Sequence, residues 1–285
     1  MSTDSCLQSL QCHVEDYLRA YDSLGYNRFL DFDWQALPDS LARSGITELH
    51  LAAVETAMVV EDHIPGYASE YQRLFHVEGS RTDEEAWMRR QTLHFVFRWV
   101  AEEDRHAHVL ELYLRHSGRR DAAALTALMI REGQKSYRAP HEIPSQLFAY
   151  TALQEKATQL YYSCLRQAVD EPVLRQVLLR LSQDEARHCG FFSHLVLDAL
   201  HDGDLGTIAL LKEALHSFRM PLSDMIENYK RKAIQMMRAA GGYDYREAFD
   251  YFRRLVKRVA EARTSARGSG LIELMTLAQA LAPQR

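Results

Sequence analysis

Hydrophobic side chains recur at helical spacing along most of this chain. The segment 46–76 shows the pattern clearly, with apolar positions at Leu49, Ala53, Ala57, Val60 and Ile64. Residues three and four apart share one face of a helix, so the segment is predicted to form an amphipathic helix. Pro65 should break or kink this helix, because proline lacks a backbone donor.

Turn and capping residues divide the rest of the chain into further helices. Thr82 and Glu85 form a T-x-x-E capping box, and neither proline nor glycine interrupts the stretch from there to His116. More helices are predicted at about 121–133, 145–170 and 172–200, with two or three others after residue 204. Helices well above the average of ~11 residues, without sustained β-alternation, predict an all-α helical bundle.

The length and composition of the chain are compatible with one large domain. The 285 residues are 47% hydrophobic and 26% charged, which allows a sizeable core. We expect a single domain over 1–285, made of an N-terminal entry segment (about 1–45), a bundle (about 46–200) and accessory C-terminal helices (about 204–285). The formal net charge of −5 shows no basic excess, so nucleic acid is not an expected partner.

Neither a membrane span nor a targeting segment is expected from the sequence. No apolar run approaches the ~18 residues of a spanning helix. Residues 1–17 lack both the apolar stretch of a signal peptide and an arginine-rich transit pattern. Cys6, Cys12, Cys164 and Cys189 show no CxxC spacing, which argues against a disulfide scaffold or a zinc ribbon. We therefore expect a cytoplasmic protein.

Carboxylates interrupt the apolar stripes of four predicted helices. Two of these helices carry a Glu-x-x-His pair, whose members lie side by side because residues i and i+3 share a helix face. The other two helices each carry a single glutamate. The six inward-facing residues are Glu61, Glu103, His106, Glu155, Glu185 and His188.

Metal binding explains this pattern better than burial of the carboxylates alone. A buried, unpaired carboxylate costs several kcal/mol, and four of them close together also repel one another. Two divalent cations would balance the four negative charges, and carboxylate with imidazole suits iron or manganese. The order Glu, ExxH, Glu, ExxH is that of ferritin-like di-iron carboxylate bundles.

A third Glu-x-x-His pair provides an internal control. Glu213 and His216 point away from the apolar stripe of their own helix, which consists of Ile208, Leu211, Leu215 and Phe218. We predict that this pair lies on a solvated face and binds no metal. The six-residue set is distinguished by its ordered placement on separate long helices.

The sequence around these residues resembles the soluble acyl-acyl-carrier-protein (acyl-ACP) desaturases. Residues 99–106 read W-V-A-E-E-D-R-H, similar to W-T-A-E-E-N-R-H in that family, and residues 184–188 match its D-E-x-R-H. Residues 154–158 resemble Q-E-R-A-T, residues 61–65 resemble E-E-A-L-P, and residues 34–39 resemble a W-Q…L-P-D entry segment. The resemblance covers about residues 30–265.

The resemblance implies a ferritin-like fold and a role for each site residue. One iron would be bound by Glu61, Glu103 and His106. The other iron would be bound by Glu155, Glu185 and His188. Glu103 and Glu185 would bridge the two ions. Thr158 would lie near the oxygen-binding face, and Asp184 and Trp34 on the route by which electrons enter. The alternatives for the last two residues are a surface acid for Asp184 and an aromatic anchor for Trp34.

The activity that the resemblance implies is O₂-dependent desaturation of an acyl chain on acyl carrier protein. Ferredoxin would supply electrons, and the protein would be a homodimer. The acyl chain would lie in an apolar tunnel, with candidate walls at Phe95, Leu147, Tyr150, Thr151 and Phe192. The acidic carrier could dock on the basic clusters at 230–232 and 253–258, although ordinary solvated faces look the same.

Three other functions compete with desaturation. A carrier-linked hydroxylase or oxygenase would use the same ligands. A ribonucleotide reductase radical subunit would have a tyrosine one turn after the first ExxH histidine, where this chain has Leu110. The third is non-enzymatic, either a ferritin-like iron store or a degenerate scaffold. An iron store is usually shorter and lacks the second ExxH, and a degenerate site would lack a ligand, whereas all six are present here.

Overall fold

The computed structural model describes residues 3–202, 204–260 and 266–283, most of which are helical. The helices are α1 Thr3–Leu24, α2 Leu37–Arg43, α3 Glu48–Glu61, α4 Ile64–Leu74, α5 Asp83–His116, α6 Ala122–Gly133, α7 Pro144–Ala168, α8 Pro172–Asp202, α9 Leu205–Ser217, α10 Tyr229–Ala239, α11 Glu247–Ala260 and α12 Ala266–Leu281. No β-strand occurs in the described ranges, so the predicted all-α class is confirmed.

Four helices, α3, α5, α7 and α8, form the core of the molecule. Helix α7 packs along α8, α3 packs along α5, and α5 also contacts α8. The six predicted ligands are distributed over these four helices, as their spacing predicts. The largest fully buried side chains include Trp99, Tyr162 and Phe192, so the predicted ligand residues are surrounded by a closely packed apolar interior.

Local sequence signals determine where the core helices begin and end. The Thr82 hydroxyl accepts a hydrogen bond from the Glu85 amide at 3.1 Å, while the Glu85 carboxylate accepts from the amide of Arg81. The break predicted at Pro65 is present, because α3 ends at Glu61 and α4 begins at Ile64 with Pro65 in its first turn. Glu61 is therefore the last residue of its helix.

Helix α1 is an element that the sequence analysis did not predict. It packs against α5 and α8 and buries Leu10, Val14 and Tyr17. These residues are spaced by four and three positions, so they form one narrow stripe on an otherwise polar helix. Through this stripe α1 places the Tyr17 side chain near the centre of the bundle.

The accessory helices cover one side of the core. Helix α10 packs on α3 and α7, α11 packs on α7 and α8, and α12 packs on α11 and α9. Gly241 and Gly242 separate α10 from α11, and their φ angles of 63° and 93° favour glycine. The grouping of all these parts into one domain stays a prediction. Within the described ranges, no helix has both the length and the apolar character that crossing a membrane requires.

Candidate metal centre

The six predicted side chains converge in the middle of the four-helix core. They form two overlapping groups, and in each group the candidate ligand atoms lie within 4.8 Å of one another. One group is Glu61, Glu103, His106 and Glu185. The other group is Glu103, Glu155, Glu185 and His188. Glu103 and Glu185 belong to both, which is the arrangement expected of bridging ligands, and none of the six residues is more than 5% exposed.

Several polar atoms at the meeting point are buried without a hydrogen bond of normal geometry. They are Glu103 Oε1, both carboxylate oxygens of Glu185, and the Nδ1 atoms of His106 and His188. His188 Nδ1 lies 2.9 Å from Glu103 Oε1, and His106 Nδ1 lies 3.3 Å from Glu185 Oε1. Unsatisfied buried polar atoms are costly, and metal ions would satisfy all five. The residues therefore fit a pair of metal ions.

The outer nitrogen of each histidine is held by a carboxylate from the opposite helix. His188 Nε2 on α8 lies 2.9 Å from Glu102 of α5, and His106 Nε2 on α5 lies 3.1 Å from Asp184 of α8. A carboxylate on the far nitrogen fixes the ring orientation and increases the basicity of the inner nitrogen. The two Nδ1 atoms are thereby directed at the centre.

Two arginines and a tyrosine hold these outer carboxylates in place. Arg187 donates to Glu102 at 2.7 Å and also to Asp184. Arg105 donates to Glu102 at 3.2 Å, and the Tyr17 hydroxyl of α1 donates to the same carboxylate. Burial alone would raise the pKa of Glu102, but its hydrogen bond to His188 and the surrounding donors lower that pKa to about 2. Glu102 is therefore ionised.

The two terminal carboxylates each accept a hydrogen bond from an aromatic side chain. Tyr162 donates its hydroxyl to Glu61 Oε1, and Trp99 donates its indole N–H to Glu155 Oε1 at 3.2 Å. Burial, reinforced by the neighbouring carboxylates, raises the pKa of both Glu61 and Glu155 well above the usual range. Metal ligation requires ionised carboxylates, and the positive charge of metal ions would offset the cost of burying these two in ionised form.

A cavity of about 500 Å³ extends from the molecular surface to Glu61. Its walls come from α3, α7, α10, the segment 218–223, and residues 243 and 245. Thr158 lines it, so the threonine that we singled out faces this space beside the centre. None of the five predicted tunnel residues is among its lining side chains, so their role as walls of an acyl tunnel stays a prediction. Phe95 and Phe192 instead pack against Trp99.

The two residues predicted on the electron route lie in different places. Asp184 is 2% exposed and contacts His106, so the surface-acid alternative is wrong. Trp34 donates its indole N–H to the carbonyl of Arg28 and stacks on His116, as an aromatic anchor would. Among the described residues, no hydrogen bond joins Trp34 to Asp184. Their role in electron transfer stays a prediction.

The control pair lies on a solvated face, as predicted. Glu213 and His216 are both exposed, and the Glu213 carboxylate accepts a hydrogen bond from the Gln146 amide at 2.9 Å. The Glu-x-x-His spacing alone therefore does not bring a carboxylate and an imidazole into a metal site.

Residues 30–270 match the sequence model of the fatty acid desaturase family. The chain belongs to the acyl-ACP desaturase family. Over 205 residues it is 28% identical to DesA2 of Mycobacterium tuberculosis, designated provisionally as an acyl-ACP desaturase, and the match covers 69% of each chain. It is also 28% identical over 243 residues to the chloroplastic acyl-ACP desaturase 6 of Oryza sativa subsp. japonica, covering 80% of this chain and 56% of the rice protein.

Comparison with solved structures shows that this protein has the ferritin-like fold expected from its sequence. The crystal structure of DesA2 from Mycobacterium tuberculosis matches with a TM-score of 0.59 at 20% identity, over 95% of this chain and 99% of that chain. An R2-like ligand-binding oxidase with a Mn/Fe cofactor matches with a TM-score of 0.50 at 13% identity, over 95% and 92% of the two chains. The ferritin-like fold is thereby confirmed.

The sequence analysis did not identify four residues that surround the centre: Tyr17, Glu102, Tyr162 and Arg187. A signal for two of them was present. Both histidine segments read acid-Glu-x-Arg-His, at 102–106 and 184–188, and this repeat places an outer acid and an arginine beside each ligand pair. Tyr17 and Tyr162 carry no such signal, because only the tertiary packing brings them to the centre.

We expect Glu102→Gln to weaken the binding of one of the two metal ions by roughly 10- to 100-fold, because His188 loses its outer carboxylate. Titration with Mn(II), with the free ion measured by electron paramagnetic resonance, gives the affinity of each step. Glu213→Gln makes the same change in the exposed Glu-x-x-His pair and should bind metal as the wild type does. Wild-type affinity in a well-folded Glu102→Gln variant would contradict the assignment.

Proposed function

We propose that this protein is a di-iron, O₂-dependent desaturase that introduces a double bond into an acyl chain carried on acyl carrier protein, with electrons from ferredoxin. The observation that carries the proposal is the cavity that reaches the buried centre at Glu61. From the family resemblance we also propose that the protein forms a homodimer and acts in the cytoplasm. Membership of the acyl-ACP desaturase family supports the substrate class.

The donor set of the centre suits iron or manganese, and the family resemblance implies iron. Carboxylate and imidazole ligands suit iron or manganese, and no cysteine is among the six residues. When bound, the two irons supply an oxidant derived from O₂, which acid–base side chains cannot provide for an unactivated C–H bond. In the overall reaction, two hydrogens leave neighbouring carbons. O₂ takes up these hydrogens, two electrons from ferredoxin and two protons, which gives two waters.

The cavity has the size and lining that an acyl chain requires. Its volume of about 500 Å³ lies within the range of ~300–1,000 Å³ that is typical of ligand pockets. Apolar side chains such as Val60, Met236 and Met237 line it, together with several tyrosines. Thioether side chains adapt to the shape of a flexible hydrocarbon. The walls would hold the chain in a fixed position beside Glu61 and exclude water from the reacting carbons.

Cationic side chains stand where the cavity meets the surface. Arg219 and Lys230 both line it and are exposed, and Lys230 begins the basic cluster at 230–232 on α10. An acidic carrier protein would be attracted to this end of the cavity. In the second cluster, Arg253 and Arg254 are already paired with Asp250. The cluster at 230–232 is therefore the better docking candidate.

Mass spectrometry of the acyl group after turnover tests the proposed reaction. The iron-loaded protein would be incubated with ferredoxin, a reductant, O₂ and a series of acyl-ACPs of different chain length. We expect a product that is lighter by two hydrogens. A product heavier by one oxygen atom would show a hydroxylase instead, and an unchanged acyl group at every chain length, with two irons bound, would contradict both reactions.

We expect Lys230→Glu to raise KM for acyl-ACP roughly tenfold at low ionic strength, because reversal of a charge at the docking surface slows association. The value of kcat should change little, since Lys230 is not among the residues at the metal centre. Steady-state kinetics at several salt concentrations measure both constants.

The matched control for this variant is Arg119→Glu, which reverses an exposed charge in the turn after α5, outside the cavity lining. Its KM should stay near the wild-type value. Equal KM values for the wild type and both variants would remove the docking surface from the proposal.

A further inference from the structure

The two terminal carboxylates of the centre are held by different kinds of donor. Glu155 accepts from the indole N–H of Trp99 at 3.2 Å, whereas Glu61 accepts from the phenolic hydroxyl of Tyr162. An indole N–H is fixed in the plane of its ring and can only donate. A phenolic hydroxyl rotates about its C–O bond and can donate or accept. The hydrogen bond to Glu61 is therefore the one that can be given up without moving a ring.

Glu61 and Tyr162 are also the residues through which the cavity meets the centre. Among the described residues that line the cavity, Glu61 is the one member of the six-residue set, and Tyr162 stands beside it in the wall. Glu61 is in addition the last residue of α3, immediately before the break that precedes α4. A molecule that fills the inner end of the cavity would contact this carboxylate and its phenol.

We propose that Tyr162 is a positioning residue that holds Glu61 through Oε1, orients this carboxylate as a ligand, and would couple occupancy of the cavity to the coordination of a metal ion bound by Glu61. The proposal rests on the metal centre of the proposed function, but not on desaturation itself. It assigns the two halves of the centre different properties. The half that contains Glu61 responds to a bound chain, and the half that contains Glu155 is held rigidly by Trp99.

The neighbouring tyrosine provides a matched control. Tyr161 lies next to Tyr162 on α7, lines the same cavity and is likewise buried. Its hydroxyl donates to the backbone carbonyl of Ala53 at 3.2 Å and contacts no member of the six-residue set. Removing this hydroxyl changes the polarity of the wall without touching a predicted ligand.

Cobalt(II) titration of the wild type, Tyr162→Phe and Tyr161→Phe tests the proposal without turnover. The visible absorption of bound Co(II) reports both affinity and coordination number. We expect two binding events in the wild type and in Tyr161→Phe, and a weakening of one event by roughly tenfold or more in Tyr162→Phe. Circular dichroism of the metal-free variants checks that each one is folded.

The second arm adds the probe 1-dodecanol, an uncharged chain without a carboxylate that could bind cobalt, to the Co(II)-loaded proteins. The absorption of one Co(II) should change in the wild type and in Tyr161→Phe, and not in Tyr162→Phe. The contrary result is that the wild type and both variants each bind two Co(II) ions with the same affinities and respond identically to the probe. That result would overturn the role of Tyr162 and leave the proposed function standing. Fewer than two bound ions in the wild type would overturn both. Because the probe response of the wild type needs no variant, its absence would also count against the coupling.

Discussion

The structure depends on one constraint: four carboxylates and two imidazoles are buried in one place, and the charge and unsatisfied polar atoms of these groups must be compensated. No single helix could bury its glutamate without a partner, because an unpaired internal carboxylate costs several kcal/mol. The four core helices bring these groups within ligating distance of two common points, and metal ions would balance their charge. The polar atoms left without hydrogen bonds of normal geometry, such as Glu103 Oε1 and His188 Nδ1, face these points, so the packing of the core and its chemistry have the same cause.

The two histidines of the centre have matching outer carboxylates, but the cavity meets the centre on one side only. Glu102 of α5 contacts His188 of α8, and Asp184 of α8 contacts His106 of α5. This crossed pairing links α5 to α8. The cavity breaks the symmetry, because it opens on the side of Glu61. One side of the centre is packed with aromatic side chains, and the other side meets the cavity, which has cationic residues at its surface end. An acyl chain delivered by an acidic carrier fits this arrangement.

The sequence predicted the core helices and the six converging residues because both depend on local periodicity. Glu103 and His106, like Glu185 and His188, share a helix face wherever the helix packs. The break at Pro65 followed from the chemistry of proline. The cavity walls could not be predicted, because they depend on where α10 lies against α3 and α7. Helix α1 was missed since its stripe of Leu10, Val14 and Tyr17 is narrow. The role of Glu102 was missed because its partner, His188, lies on another helix.

The most direct test of this account is anomalous X-ray scattering from crystals of the protein grown with iron or manganese. The account predicts two anomalous peaks inside the four-helix core, both adjacent to Glu103 and Glu185, with His106 beside one peak and His188 beside the other. A single peak, or peaks confined to the surface while these six side chains stay clustered, would contradict the claim that a pair of metal ions holds the centre together.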